Sequence, residues 1–284
     1  MDRPPLRIEI DGAVARATLD RPERLNALDP ALIRALHEFF VGLVERPEIR
    51  VVVLSGEGRA FCAGLDLKEF AAHGSGLGVD EMLVRQRRVR DVMLAMRRCP
   101  QPIVAIVQGA ASGGGFALAL AADVRLATPD ARMNAAFIRL GLSACDVGVS
   151  YFLPRMVGAS VAAELLLTGR FLDAARAERL GLVSLVGPPE RLREEADALC
   201  AEMLAATPLG LRLTKDALGF AIDAPSMEAA IALEDRNQIL CTRGDDFREG
   251  VAAFLEKRPP RFPGKVSTDM PKRAAGLTPP PVGR

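Results

Sequence analysis

The feature that most constrains the fold is one uninterrupted stretch, PIVAIVQGAASGGGFALALAADVRLAT, at residues 102–128. It opens with an apolar run at 102–109 and closes with a second at 123–128. Apolar runs of this length are typical of strands buried on both faces, as in parallel sheets. Between them, three consecutive glycines precede a helix-like run of small residues. A strand, a glycine turn, a helix and another strand predict an α/β layer fold.

The rest of the chain continues this alternation. Residues 6–11 and 13–20 alternate apolar and polar side chains on either side of Gly12, which predicts a two-stranded hairpin. The run VVVLSG at 51–56 predicts another buried strand, and Asp29 is a candidate N-cap for the helical spacing that follows it. We expect further helices over 30–44 and 80–98, a helix–strand–helix pattern over 161–199, and a mostly helical segment over 208–257.

Composition and charge exclude several classes of function. The 284 residues are 49% hydrophobic and 26% charged, as in a globular domain, and the formal net charge is +1. A chain with so small a net charge has no strong electrostatic field, so neither nucleic acid nor an anionic membrane is expected as its partner. The five cysteines form no C-x-x-C pair, so neither a disulfide framework nor a metal site is predicted. With no signal-like N-terminus and no apolar run of membrane length, we expect a cytoplasmic location.

Two glycine-containing turns follow predicted strands and are candidates for a binding site. They lie at 59–67, RAFCAGLDL, and at 108–120, QGAASGGGFALAL. Glycine lets main-chain N–H groups approach a ligand closely, and a helix N-terminus adds a positive dipole end. Two such turns could direct their N–H groups at one oxygen and form an oxyanion hole. The alternative is that the glycines only permit close packing of helix on strand.

These residues, taken in chain order, resemble the enoyl-CoA hydratase/isomerase (crotonase) superfamily. The resemblance covers residues 5–262, and several ordered motifs together are more specific than one glycine run. The motifs are LDRPERLNAL at 19–28, GRAFCAGLDLKE at 58–69, the 102–128 stretch, IRLGLSACDVGVSYFLPRMVG at 138–158, LLLTGRFLDAARAERLGLVSLV at 165–186 and EGVAAFLEKRPPRF at 249–262.

The resemblance implies a fold, an assembly and a substrate class. We expect a crotonase-like spiral of ββα units at 1–205, a C-terminal helical region at 206–262, and an extended, poorly packed Pro/Gly-rich tail at 263–284. It also implies a homotrimer or hexamer, and acyl-CoA thioester substrates of fatty-acid or related metabolism. Coenzyme A would be part of the substrate, and no other cofactor and no metal is expected.

By position in the motifs, the resemblance assigns site residues. The amides of Ala63 and Gly114 would hold the thioester oxygen. Arg24 and Lys257 have an alternative reading as solvated surface charges. The expected CoA and substrate contacts are Arg24, Leu25, Ala27, Ala63, Leu65, Asp66, Gly114, Phe137, Phe254 and Lys257.

The chain departs from the family at the two glutamates with which its hydratases add water. Those positions hold Ala117 and Phe137, neither of which can transfer a proton. Asp146 lies where isomerase branches of the family carry their acid, and where a dehalogenating branch carries a nucleophile. A carboxylate in an apolar pocket has a raised pKa and suits proton transfer. The alternative is a helix cap or turn aspartate, since Gly148 and its small neighbours suit a turn.

The sequence therefore predicts double-bond isomerisation of an enoyl-CoA through a thioester enolate, with Asp146 as acid and base. Hydration stays open if Asp146 alone can activate water. A non-catalytic acyl-CoA-binding protein is the alternative from another class, because both glutamates are absent. Nucleophilic attack by Asp146 on the acyl portion is a third possibility.

Overall fold

The computed structural model describes residues 3–74 and 76–262, and the predicted tail at 263–284 lies outside them. The strands are β1 Leu6–Asp11, β2 Val14–Leu19, β3 Val51–Gly56, β4 Ile103–Val107, β5 Ala110–Ser112, β6 Val124–Ala127, β7 Arg132–Asn134, β8 Leu172–Asp173 and β9 Leu185–Val186. The α-helices are α1 Pro30–Gly42, α2 Leu67–His73, α3 Val79–Arg98, α4 Gly114–Ala121, α5 Val149–Val157, α6 Ala159–Thr168, α7 Ala174–Arg179, α8 Pro189–Leu204, α9 Pro208–Ala221, α10 Met227–Thr242 and α11 Asp245–Leu255. Short 3₁₀ turns occur at Pro22–Arg24, Leu43–Glu45 and Ala136–Leu140.

The larger of two sheets in the described part of the chain has six strands in the order β1-β2-β3-β4-β6-β9. β1 and β2 form the antiparallel hairpin that the alternating pattern predicts, with Leu6 opposite Leu19. From β2 onwards neighbouring strands run parallel. The carboxyl ends of β3 and β4 therefore meet at one edge of the sheet, and each leads directly into one of the two glycine turns.

The second sheet among these residues is small, with three strands in the order β5-β7-β8. Its members are two or three residues long. A strand this short shows no periodicity in the sequence, so the pattern did not predict it. β5 lies directly after β4 and continues the chain from the main sheet into the second glycine turn.

Helices cover the sheet and close the core. The largest fully buried side chains include Phe40 on α1, Met96 on α3, Phe116 on α4 and Phe61 in the first glycine turn. They belong to one cluster that joins these helices to the sheet. The expected α/β fold with a helical C-terminal region is confirmed, since α9, α10 and α11 follow the last strand and α8. No helix in the described ranges has the length and apolar character needed to cross a bilayer.

One buried ion pair joins the C-terminal helices to the core. Lys215 on α9 is buried, and its Nζ lies 3.0 Å from Oδ2 of Asp123. The same Nζ donates to the carbonyl oxygens of Gln101 (2.7 Å) and Met96 (3.1 Å). These acceptors lie where α3 ends and β4 begins, so α9 is held at the edge of the sheet away from the glycine turns.

Candidate active site

The first glycine turn is held by the segment before α1. The Leu28 N–H donates to the carbonyl oxygen of Gly64 (2.7 Å), and the Asp66 N–H donates to that of Leu28 (3.0 Å). The Ala63 N–H donates to the carbonyl oxygen of Leu25 (3.0 Å). Leu25 has a positive φ of 52°, which turns its carbonyl towards the 59–67 segment. The main chain of this turn is therefore fixed on one side.

That hydrogen bond corrects one expectation. The Ala63 amide was predicted to hold the thioester oxygen, but its N–H already donates a hydrogen bond to the carbonyl oxygen of Leu25. An amide that is paired within the protein cannot also serve as a pre-organised donor to a ligand. The amide of Leu65, two residues on, donates to no acceptor among the described residues. It is therefore a free donor in the first turn, directly after Gly64.

The second glycine turn lies against the first. Gly113 has a positive φ of 51° and donates its N–H to the carbonyl oxygen of Asn134 (2.9 Å). α4 begins at Gly114, whose amide has no acceptor in the described parts of the chain. A Cβ atom placed on Gly64 would lie 2.7 Å from the Ser112 carbonyl oxygen and 3.5 Å from the Gly114 nitrogen. The two free amides thus belong to turns in direct contact.

Apolar groups occupy the two positions at which the resemblance places the glutamates of hydratases. Ala117 is fully buried in α4. The Phe137 ring lies against the second turn, because a Cβ on Gly113 would approach it to 3.4 Å. Neither side chain can bind or orient a water molecule beside the free amides.

Asp146 lies in the loop between the 3₁₀ turn that carries Phe137 and the start of α5. Its Oδ1 accepts a hydrogen bond from the Gln86 side-chain amide on α3, and one from the Val147 N–H (2.8 Å). Val147 has a positive φ of 38°, and Gly148 one of 93°. The loop is thus a strained turn, and α5 starts from Gly148 with no side-chain cap. Asp146 does not cap α5 through its side chain.

Burial dominates the electrostatics of Asp146. The side chain is half-buried, and loss of solvent raises the pKa of its carboxyl group above the ordinary value. The Val147 N–H and the Gln86 amide oppose this rise, because both donate to the ionised form. No cationic side chain pairs with Asp146 among the described residues. A carboxylate with a raised pKa and no salt bridge is suited to accepting and returning a proton.

A cavity of about 520 Å³ opens between α1, α2 and α3, next to the first turn. Leu65 lines it, and so does Gln86, the partner of Asp146. Its apolar wall includes Ile33, Phe70 and Val89. The cavity is large enough for a small acyl group. It extends from Leu65 in the first turn to Gln86, the residue that holds Asp146.

The residues expected to contact CoA through the 19–28 motif lie beside the first turn. Arg24 is exposed and has no ion-pair partner among the described residues, and its charge contributes to the low pKa of Asp66. Leu25 is half-buried and Ala27 is buried. The main chain of Leu25 is hydrogen-bonded to the 59–67 segment, so the exposed guanidinium group of Arg24 lies beside the first glycine turn.

Contact of Asp66 with CoA stays a prediction, and its side chain is already engaged within the protein. It is buried, caps α2 by accepting from the Glu69 N–H (3.2 Å), and pairs with Arg21 (3.1 Å). Burial alone would raise the pKa of this carboxyl, but the Glu69 N–H and Arg21 outweigh it and hold the pKa below its ordinary value. Asp66 is an ionised structural group.

Phe254 and Lys257 are not brought to the glycine turns within one chain. Phe254 is 83% exposed on α11, and Lys257 follows the end of that helix. α11 begins at Asp245–Asp246, and Asp246 acts electrostatically on Arg50, the residue before β3. That is the end of β3 opposite to the first turn. Contact of these two residues with CoA stays a prediction.

Two residues of the site carry no sequence signal of their own. Gln86 is one of many polar residues on α3, and only the fold shows that it reaches Asp146. Arg21 became identifiable only once its contacts with Asp66 and Asp29 were seen. No cluster of three or more His, Cys, Asp or Glu side chains that could hold a metal ion occurs among the described residues.

Comparisons with known proteins show which family the chain is similar to. The profile of the enoyl-CoA hydratase/isomerase family matches residues 9–265. A probable enoyl-CoA hydratase of Mycobacterium tuberculosis is 41% identical over 255 residues, which are 88% of this chain and 89% of that one. The 1,2-epoxyphenylacetyl-CoA isomerase of Escherichia coli is 34% identical over 256 residues, 90% of this chain and 97% of that one.

Solved structures agree as well. The enoyl-CoA hydratase of Bacillus anthracis matches with a TM-score of 0.86 at 32% identity, covering 92% of this chain and 100% of that one. That of Mycobacterium smegmatis matches with a TM-score of 0.85 at 36% identity, covering 92% and 99%. With two abutting glycine turns, a family profile along nearly the whole chain and relatives of this identity, the chain belongs to the enoyl-CoA hydratase/isomerase family and is an enzyme that acts on acyl-CoA thioesters.

Proposed function

We propose that this enzyme moves the double bond of a 3-enoyl-CoA to the 2-position, with Asp146 as the only acid and base. The observation that carries the proposal is the environment of Asp146. Its half-buried carboxylate is held by Gln86, which lines the acyl cavity, while the two positions at which the resemblance expects hydratase glutamates are apolar. Neither of the two groups with which hydratases of the family add water is therefore available in this site.

In this proposal the thioester oxygen accepts hydrogen bonds from the amides of Leu65 and Gly114. These are the free donors of the two abutting turns, and Leu65 replaces Ala63 in this role. The acyl group extends into the cavity between α1, α2 and α3. The CoA portion of the substrate binds against Arg24, Leu25 and Ala27, beside the first glycine turn.

The reaction then needs two proton transfers and no external reactant. Ionised Asp146 takes a proton from C2, and the electron pair of the C–H bond delocalises over the former double bond and the thioester as a dienolate. The negative charge on oxygen is stabilised by the two amides, each worth roughly 10²–10³ in rate. Protonated Asp146 returns the proton to C4, and the 2-enoyl thioester results. Phe137 and Ala117 supply no group that could activate water for addition to the acyl chain.

The test is an exchange experiment in D₂O with 3-hexenoyl-CoA, followed by NMR. We expect deuterium at C2 and migration of the double bond. In Asp146→Asn both should fall by roughly 10²–10⁴, the usual contribution of a general acid–base group, while binding of hexanoyl-CoA is unchanged. The matched control is Asp235→Asn on the exposed face of α10, which should keep the activity. Binding without any exchange in the unaltered enzyme would contradict the proposal and favour a binding protein.

Hydration is the second candidate, because relatives at up to 41% identity carry the name enoyl-CoA hydratase. Asp146 would then have to activate water alone. The assay is loss of the conjugated enoyl-thioester absorbance with 2-hexenoyl-CoA. A hydration rate above the isomerisation rate, abolished in Asp146→Asn, would replace the first proposal with this one.

A further inference from the structure

Among the charged side chains that line the acyl cavity, two basic ones have no acidic partner. The acids are Glu69 and Asp91, and each has a basic neighbour. Oδ1 of Asp91 lies 2.6 Å from Arg90, and Glu69 faces His73 at 3.6 Å and Arg85 at 4.0 Å. The cavity also receives Arg34 from α1 and Arg88 from α3. No carboxylate of the described residues forms an ion pair with either of these two guanidinium groups.

Arg34 and Arg88 lie further along α1 and α3 than the residues of these helices that are next to the proposed reaction centre. α1 begins at Pro30, next to the bridge between Leu28 and Leu65, and Arg34 lies about 6 Å further along its axis. On α3, Arg88 follows Gln86 by about 3 Å of helical rise. Both helices run from the edge of the sheet with the glycine turns to the opposite edge. An acyl chain that enters the cavity at Leu65 and follows these helices would pass Gln86, the partner of Asp146, before it reached Arg88.

We infer that the acyl group of the substrate ends in a second carboxylate, which Arg34 and Arg88 bind. This rests on the proposed function, since it takes the reaction centre from it. Guanidinium groups bind carboxylates through paired, charge-assisted hydrogen bonds. A methyl-ended chain of the same length would leave both cations without a carboxylate partner, because Glu69 and Asp91 already have basic neighbours. Both arginine side chains are exposed to solvent, so salt weakens the attraction.

Binding measured by calorimetry tests the inference without turnover. The probes are hexanedioyl-CoA, its terminal amide, and hexanoyl-CoA, which share a chain length and differ at the end. We expect hexanedioyl-CoA to bind about tenfold more tightly than the other two, as charge-assisted bonds of this kind imply. The preference should shrink at high salt, and it should vanish in the double variant Arg34→Ala/Arg88→Ala.

The matched control is Arg87→Ala. Arg87 lies beside Arg88 on α3, is equally exposed and does not line the cavity, so its loss should leave the preference intact. Turnover of 3-hexenedioyl-CoA and 3-hexenoyl-CoA completes the test, and kcat/KM should favour the diacid by a similar factor.

Two failures are distinguishable. Equal binding of the three probes, or a preference that the double variant keeps, overturns the carboxylate site even if 3-hexenoyl-CoA is isomerised. A carboxylate preference that depends on the arginines, with no Asp146-dependent exchange on any substrate, overturns the isomerase and keeps the anion site.

Discussion

Asp146 shows how one residue acquires its chemistry from neighbours that are distant in the sequence. Gln86 reaches it from α3, across sixty positions of the chain. Burial raises the pKa of the carboxyl, and the Gln86 amide limits that rise by donating to the ionised form. Both this amide and the Val147 N–H donate to Oδ1, and no donor to Oδ2 occurs among the described residues.

Gln86→Leu should move the acid limb of the kcat/KM profile to higher pH. As a base Asp146 must be ionised, and removal of a donor to the ionised form raises its pKa further above the ordinary value. Activity should therefore appear at a higher pH than in the unaltered enzyme, with a lower kcat and a KM that hardly changes. Arg87→Leu, one position along α3, serves as control. An unshifted acid limb in Gln86→Leu would show that Gln86 does not govern this carboxyl.

At the level of residues, the sequence identified candidates where residue type marks them, and the roles of Asp146 and Gly114 stay predictions. A carboxylate among small residues singled out Asp146, and three glycines singled out the turn at Gly114. Prediction failed for Ala63, because which amide of a turn is free depends on its partners. The positive φ of Leu25 and the hydrogen bond from Ala63 to its carbonyl oxygen could not be predicted from the amino-acid sequence.

At the scale of elements, the site depends on two turns that touch through main-chain atoms. A Cβ on Gly115 would lie 2.0 Å from the carbonyl oxygen of Cys62, and one on Gly109 would lie 2.0 Å from that of Arg59. Neither separation is possible for a carbon, so glycine is required where α4 and β5 pass the first turn. The close approach is what places the Gly114 amide next to Gly64.

Gly115→Ala should therefore separate the turns and disturb both stability and activity. We expect a loss of about 1–3 kcal/mol in the free energy of unfolding from overpacking, with a larger relative loss of kcat. Gly42→Ala at the end of α1 is the control. A Cβ there meets no atom within 4 Å, so the change should be neutral or stabilise by about 0.4–1 kcal/mol. Equal stabilities of the two variants in urea unfolding would contradict the packing argument.

Elements with a clear period were predictable, and short ones were not. β3, β4, β6 and α1 appear within a few residues of the expected bounds, because burial on both faces or a helical stripe leaves a strong pattern. β5, β7 and β8 have at most three residues each, and their pairing follows from the path of the chain rather than from propensity.

For the whole molecule, the attachment of the C-terminal helices depends on Lys215. This buried cation joins α9 to Asp123, and Asp123 also accepts from Arg97 (2.7 Å) and from the Ile103 N–H (2.8 Å). The Nζ of Lys215 also donates to the carbonyl oxygens of Met96 and Gln101. One side chain therefore connects the C-terminal region to the ends of α3 and β4.

Lys215→Met should destabilise the protein by about 1–3 kcal/mol, since it leaves the carbonyl groups of Met96 and Gln101 without their donor, while Asp123 keeps its ion pair with Arg97. Arg212→Met, on the exposed face of the same helix, should change the free energy of unfolding little. Both are measured by urea unfolding. Loss of stability in the two variants to the same extent would indicate a general effect of charge on α9.

The candidate donors to the thioester are main-chain amides, and this has an evolutionary consequence. Point mutations exchange side chains but leave the peptide N–H of Leu65 and Gly114 in place. A lineage can thus gain or lose an acid at 117, 137 or 146 and still inherit the means of holding a negatively charged thioester. Diversification of reactions within one scaffold then requires only new proton carriers, while the anion-stabilising backbone passes unchanged from ancestor to descendant.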